Sequence, residues 1–126
     1  MTAFATITLA DSTAANVDFV PSNIDPQGVA KLFATANTLD ERRGISLSVR
    51  LPKVGGSVAR VTAKVVVPVM DSSSPPIKLG ECICSMEFVL PKRASEANRA
   101  DALAFASNLL ADASVIAAVT SLESIY

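Results

Sequence analysis

The chain of 126 residues has no histidine, no tryptophan, a single tyrosine and only two cysteines. Without histidine, imidazole-based acid–base catalysis and imidazole metal ligation are excluded. Cys82 and Cys84 stand at i and i+2, a spacing that on a strand aims both thiols the same way but sets them too far apart for an easy mutual disulfide. A redox pair or metal site is therefore not indicated. Two small apolar residues buried under a sheet are the simpler expectation, and a bond to another subunit stays open. No apolar run approaches the roughly 18 residues of a membrane span. The opening MTAFATITLADST has neither a basic start nor a signal-type apolar core, which leads us to expect a reduced, cytoplasmic origin and no membrane partner. There is also no glycine-rich phosphate loop and no pairing of nucleophile with base. Ser72 to Ser74 lie in a tract of serines and prolines, where a nucleophile would be poorly held.

What the chain has in excess is apolar surface. Half of its residues are hydrophobic and its mean hydropathy is +0.41, high for one small domain that must also present a polar exterior. With no membrane span to absorb it, the surplus points to a subunit interface. The length suits one domain over residues 1–126.

Residues 42–70 organise the rest. ISLSVRL (45–51) and VARVTAKVVVP (58–68) alternate polar and apolar residues with the period of a β-strand. Ser46, Ser48 and Arg50 share one face of the first strand, and Arg60, Thr62 and Lys64 one face of the second. If Pro52 to Ser57 turns the chain back, as Gly55-Gly56 suggests, the two polar sets lie side by side, with a dry face beneath. Residues 42–70 carry six basic groups and no acidic one, whereas the remainder carries five basic and twelve acidic groups. The near-neutral total thus conceals a segregated field. A one-sign face with interleaved hydroxyls suits a polyanion, and a solvated outer face is the plain alternative.

The flanking segments complete the layout. Residues 4–10 and 17–21 read as a terminal hairpin and 21–28 as a loop rich in breakers; 29–35 fits a strand or a short helix, and its shortness between Gly28 and Asn37 favours the strand. Asp40 and Glu41 are adjacent carboxylates followed at once by Arg42 and Arg43, which predicts a solvated turn rather than a catalytic dyad. Residues 69–80 read as a mobile loop. In ECICSMEFVL (81–90) the alternation resumes, with Cys82, Cys84, Met86, Phe88 and Leu90 on the dry side and Ile83, Ser85 and Glu87 on the other. Ser95 is placed to cap a helix through Ala111 with Glu96 in its first turn, and a second short helix follows from Val115. All strand comes first and all helix last. The expected fold is therefore α+β: an N-terminal β-hairpin (1–21), an antiparallel sheet (29–91) and two C-terminal helices (95–126) that pack with a dimer partner. Unpaired edges and apolar helices make a lone copy prone to aggregate, so an obligate homodimer is expected.

The order of these segments resembles a known family. The Pro21-Ser22-Asn23-Ile24 loop leading to Gly28-Val29-Ala30, Ser48-Val49-Arg50, Lys64 to Pro68, Met86-Glu87-Phe88 to Pro91, Asn108 to Asp112 and a closing Ile125-Tyr126 follow the pattern of the levivirus coat proteins. These form the shells of small single-stranded RNA bacteriophages. The resemblance covers essentially the whole chain. It implies a dimer with one continuous sheet whose open face meets RNA inside an icosahedral shell, the helices interlocking with the partner outside. It also implies binding of a genomic operator hairpin, with translational repression and packaging, no cofactor, and the phage maturation protein as a further partner. The virion is the implied location, with synthesis in the bacterial host cytoplasm. The family's RNA positions fall on Val29, Ser46, Ser48, Arg50, Arg60, Thr62, Lys64 and Ser85. Ile83 stands where several members carry a base-stacking tyrosine. The loop at 69–80 matches the segment that changes conformation around the symmetry axes, and because both cysteines lie beyond it, no covalent cross-linking of the shell is expected. The competing readings are a dimeric α+β enzyme or small-ligand module, and a cellular RNA-binding domain. The last is disfavoured by the shortage of aromatic residues for stacking bases.

Overall fold

A computed structural model describes residues 4–36, 38–73 and 76–124. Two compact units are distinguished, Met1–Val89 and Leu90–Tyr126. Ser74 and Pro75 of the expected mobile loop, Asn37 at the expected strand boundary, and the closing Ile125-Tyr126 lie outside the described residues.

The first unit is built on six strands: β1 (Ile7–Ala10), β2 (Asn16–Ile24), β3 (Ala30–Ala34), β4 (Gly44–Arg50), β5 (Val58–Met70) and β6 (Lys78–Pro91). They form one sheet in chain order, β1 to β6, and each pairing from β1 through β5 is antiparallel. The terminal hairpin is thus continuous with the sheet, because β2 pairs with β3 on its far side. Gly55, at φ +83, supplies the left-handed step of the β4–β5 turn, which Gly56 closes by donating its N–H to the Lys53 carbonyl at 2.7 Å.

Three other turns share one device. The first residue past β1, β2 and β5 is an aspartate in each case: Asp11, Asp25 and Asp71. Each donates its own N–H to the carbonyl of the residue that closes the turn (Ala15, Val29 and Ile77), at 2.9, 3.0 and 3.0 Å. Each Oδ1 then accepts the N–H of that same closing residue, at 3.1, 2.9 and 2.8 Å. A second N–H, two residues on, bonds the same oxygen in all three. Short carboxylate side chains compete with backbone partners in this way and so set turns. At Asp11 and Asp71 these bonds favour the ionised form. The Thr13 hydroxyl foremost holds Asp11 below the ordinary carboxylate range, and the Ile77 N–H foremost does the same for Asp71.

Two boundaries differ from expectation. Residues 21–24 belong to β2 rather than to a loop, because the register shifts between Pro21 and Asn23 and the irregularity accommodates the proline, which has no N–H to give. Strand also occupies both ends of the tract expected as loop 69–80, since β5 runs to Met70 and β6 starts at Lys78. That leaves 71–77 as the connection, its neck closed by Asp71 and Ile77.

The dry face carries the core. Phe19, Leu32, Ala34 and Ile45 are buried, with Ile7, Val17 and Val65 packed against them. Registers Ile7↔Phe19, Phe19↔Ala34 and Leu32↔Ile45 set these residues across four neighbouring strands. Toward β6 the same face is open. Cys82 and Cys84, expected to be buried, are exposed and free.

The second unit contains α1 (Glu96–Leu110) and α2 (Ala113–Thr120). Ser95 caps α1 by accepting the Asn98 N–H at 3.2 Å, and Asp112 caps α2 by accepting the Ser114 N–H at 2.9 Å. Asp112 thereby starts the second helix two residues earlier than its apolar pattern suggested. Neither helix has a buried residue. Phe105 and Val119 are 73 % and 71 % exposed, so the helical unit has no core of its own.

Candidate nucleic-acid interface

The register between β4 and β5 assembles the site. Ser46 faces Lys64, Ser48 faces Thr62 and Arg50 faces Arg60. Directly opposed residues in an antiparallel pair project from the same face, so alternation along each strand and register across them place six polar side chains side by side. Their apolar neighbours Ile45, Leu47 and Val49 face Val65, Ala63 and Val61 on the other side. The polar set, with Val29 and Glu87, lines one open cleft of about 570 Å³.

Seven of the eight residues expected from the sequence therefore meet in a single cleft: Val29, Ser46, Ser48, Arg50, Arg60, Thr62 and Lys64. Val29 is brought there by the Asp25 turn, which holds its N–H and carbonyl at the entrance to β3. The eighth, Ser85, lies exposed on β6 and does not line the cleft.

Glu87 is the residue that attention to basic groups passed over. Its carboxylate accepts a hydrogen bond from an Arg60 Nη and forms an ion pair with it. Strand alternation had put Glu87 on this face, but its significance depends on a partner 27 positions away in sequence. Like charges directly opposed on neighbouring strands repel, and Glu87 neutralises one member of the Arg50–Arg60 pair. Among the described residues Arg50 has no ion pair. Lys64 also feels a carboxylate, Glu81, whose pKa is lowered mainly by its bond to Lys78 and slightly by Lys64 itself. The face is thus less purely cationic than β4 and β5 alone suggest, yet an uncompensated arginine remains at the cleft. Lys31, opposite Ser46 on β3, adds a further cation to the same face; the alternation from Val29 to Lys31 carried that signal.

The turn before β4 also departs from expectation. Arg42 is not simply solvated: its guanidinium carbon lies 4.1 Å from the centroid of the Phe33 ring.

An open hydroxyl-and-cation face can hold phosphate groups by charge and hydroxyl donation without any chemical step. Among the described residues no group of three or more aspartates, glutamates or cysteines is arranged to hold a metal ion. Fold and site define a small α+β sheet protein with one hydroxyl-and-cation face and a helical unit whose helices have no buried residue.

Residues 2–126 match the family model of the levivirus coat protein, and the chain belongs to that family. It is a structural protein of the virion, a capsid subunit rather than an enzyme. It is similar to the chain of a virus-like particle of Beihai levi-like virus 21, with 25% identity over 99% of both chains and a TM-score of 0.92. A virus-like particle of bacteriophage NT-214 is likewise similar, at 26% identity, 97% of this chain, 98% of that one and a TM-score of 0.85. An unassembled bacteriophage coat protein dimer, described as RNA-binding, shares the fold at 20% identity over 98% of each chain, with a TM-score of 0.74. No curated protein matches the chain.

Proposed function

We propose that the chain acts as an obligate homodimer, the building block of an icosahedral shell, and that its open sheet face binds single-stranded genomic RNA. In this reading an operator hairpin is held by Val29, Ser46, Ser48, Arg50, Arg60, Thr62, Lys64 and Ser85, coupling translational repression to packaging. The observation that carries it is the triple cross-strand row of Ser46–Lys64, Ser48–Thr62 and Arg50–Arg60 lining one cleft. Hydroxyls at the middle and cations at the ends match the alternation of sugar edges and phosphates along a strand of RNA.

The exposed helices support the dimer. Leu103, Phe105, Leu109, Ile116 and Val119 are at least 48% exposed, an apolar area too continuous to leave in water. A second copy is the occupant that a coat subunit provides. A fold-level relative is a dimer by its description, and an obligate interface of this kind buries roughly 2,000 Å² or more. Covering the open end of β6 by the partner's helices would also bury Cys82 and Cys84, leaving the shell without covalent links.

The test is to replace Arg50 and Lys64 by alanine, reading RNA binding on the unassembled dimer and RNA content on the assembled particles. Single-strand binding loses roughly 0.7 in the slope of log K against log salt for each phosphate contact removed. The pair should therefore flatten the slope by about 1.4 and lower the absorbance ratio of purified particles, while dimers persist. Unchanged RNA content and slope would overturn the assigned face.

A further inference from the structure

The RNA face contains one aromatic residue among those described. Phe19 lies in the core and Phe105 in α1. Phe88 alternates with Cys82 and Cys84 on the dry side of β6, and Phe4 precedes the first strand. Phe33, by contrast, pairs with Gly44, two residues along from the Lys31–Ser46 pair on the same face and one from the buried Leu32–Ile45 pair. It therefore projects from the open face, where it is partly exposed.

Its setting is specialised. A Cβ on Gly44 would come within 3.1 Å of the Phe33 ring, so the glycine makes the space in which the ring lies against the β4 backbone. Arg42 sits over the ring, yet its Nε is buried with no hydrogen-bond partner among the described residues, an arrangement that leaves a charged donor unsatisfied. Beside the pair opens a second cavity of about 240 Å³, lined in part by Phe33, Arg42, Lys78 and Glu81. Ser46 lines both this cavity and the main cleft. A strand of RNA seated on the Ser46–Lys64 row thus reaches the Phe33 ring at its next step.

We infer that Phe33 is the base-stacking platform of this face, and that Arg42 is its removable cover: a nucleobase takes the place of the guanidinium on the ring, while the guanidinium turns to a flanking phosphate. One planar group is exchanged for another over the same ring, and the orphaned donor gains an anionic acceptor. Every base has a π-face, so the contact tolerates sequence variation. The inference rests on the RNA reading above and deepens it.

The experiment uses the unassembled coat-protein dimer, whose sheet face is accessible, and short single-stranded RNA of mixed sequence. Phe33→Leu should weaken binding roughly 5- to 150-fold, the span reported for loss of one base–aromatic stack, without changing the salt slope, and Phe33→Tyr should restore it. Arg42→Ala should lower the slope by about 0.7. Undiminished affinity in Phe33→Leu, or an unchanged slope in Arg42→Ala, overturns the exchange. Should Phe33→Leu fail to fold, 5-iodouridine-substituted RNA irradiated on the wild-type protein decides the matter: cross-linking to Phe33, within the tryptic peptide that runs from Leu32 to Arg42, is the expected result, and cross-links confined to other peptides refute it. If the wild-type protein binds no RNA with salt dependence, the broader reading fails. If it binds but Phe33 is indifferent, only this inference does.

Discussion

The two units of the chain solve the same problem in opposite ways. Residues Met1–Val89 enclose a core of their own on one face of the sheet, centred on Leu32 at 2 % exposure. The unit Leu90–Tyr126 has well-capped helices and, among its described residues, none that is buried. Local signals such as Ser95 and Asp112 are enough to start and stop a helix, but a short helix is marginal in water without tertiary burial. The difference teaches that the sheet unit carries its own core within one copy, whereas the helical unit, formed by local signals, does not; the proposed dimer is what would cover it.

The sharpest way to break that comparison is a charge on the uncovered helices. Phe105→Asp together with Val119→Asp should abolish dimers and particles, read by light scattering after gel filtration and by electron microscopy. Intact particles would mean that this surface stays outside any interface. Next in size, Leu32→Ala should cost about 2–5 kcal/mol of stability, measured by denaturant unfolding, because its loss empties the one enclosed core. A smaller effect is expected where the sheet's polar face depends on a tight contact. Gly44→Ala forces a methyl against Phe33 and should cost about 1–3 kcal/mol, as overpacking does, with strand content unchanged by circular dichroism.

The smallest effect concerns the 71–77 connection. Asp71 has a lowered pKa in the folded chain, so its ionised form is the one the turn favours. Its contribution is complete above the ordinary carboxylate range and is lost as pH falls through the lowered value. Amide exchange at Ile77 should accelerate in Asp71→Ala at neutral pH, and in the wild type only as the pH falls below 3.8, the ordinary value. Equal protection in both proteins would show that the backbone bond from Asp71 to Ile77 holds the neck unaided.

Much of this architecture was legible in the alternation of two strands. Ser46, Ser48 and Arg50 against Arg60, Thr62 and Lys64 could be placed on one face because a period of two leaves no other choice, and the turn at 52–57 brought them into register. The parts that escaped depend on distant partners. Nothing near Glu87 announces Arg60, and nothing near Arg42 announces the ring of Phe33. The strand status of Pro21 turned on a register shift that local breaker signals cannot reveal. Cys82 and Cys84 look like core residues by pattern, but alternation alone does not say whether a face is covered, and both are exposed. The aspartate turns were half visible: Asp11, Asp25 and Asp71 all lie among turn residues, but their common role appears only when the closing residues are known.

Arg50 stands opposite Arg60, and a single carboxylate answers the two of them. In the proposed reading, where this face lines a closed container, that imbalance repeated over every copy makes the lining an incomplete salt, one whose missing ions arrive with the cargo. Vessels filled with a polyanion should therefore outlast hollow ones, with the gap narrowing as the surrounding brine grows more concentrated.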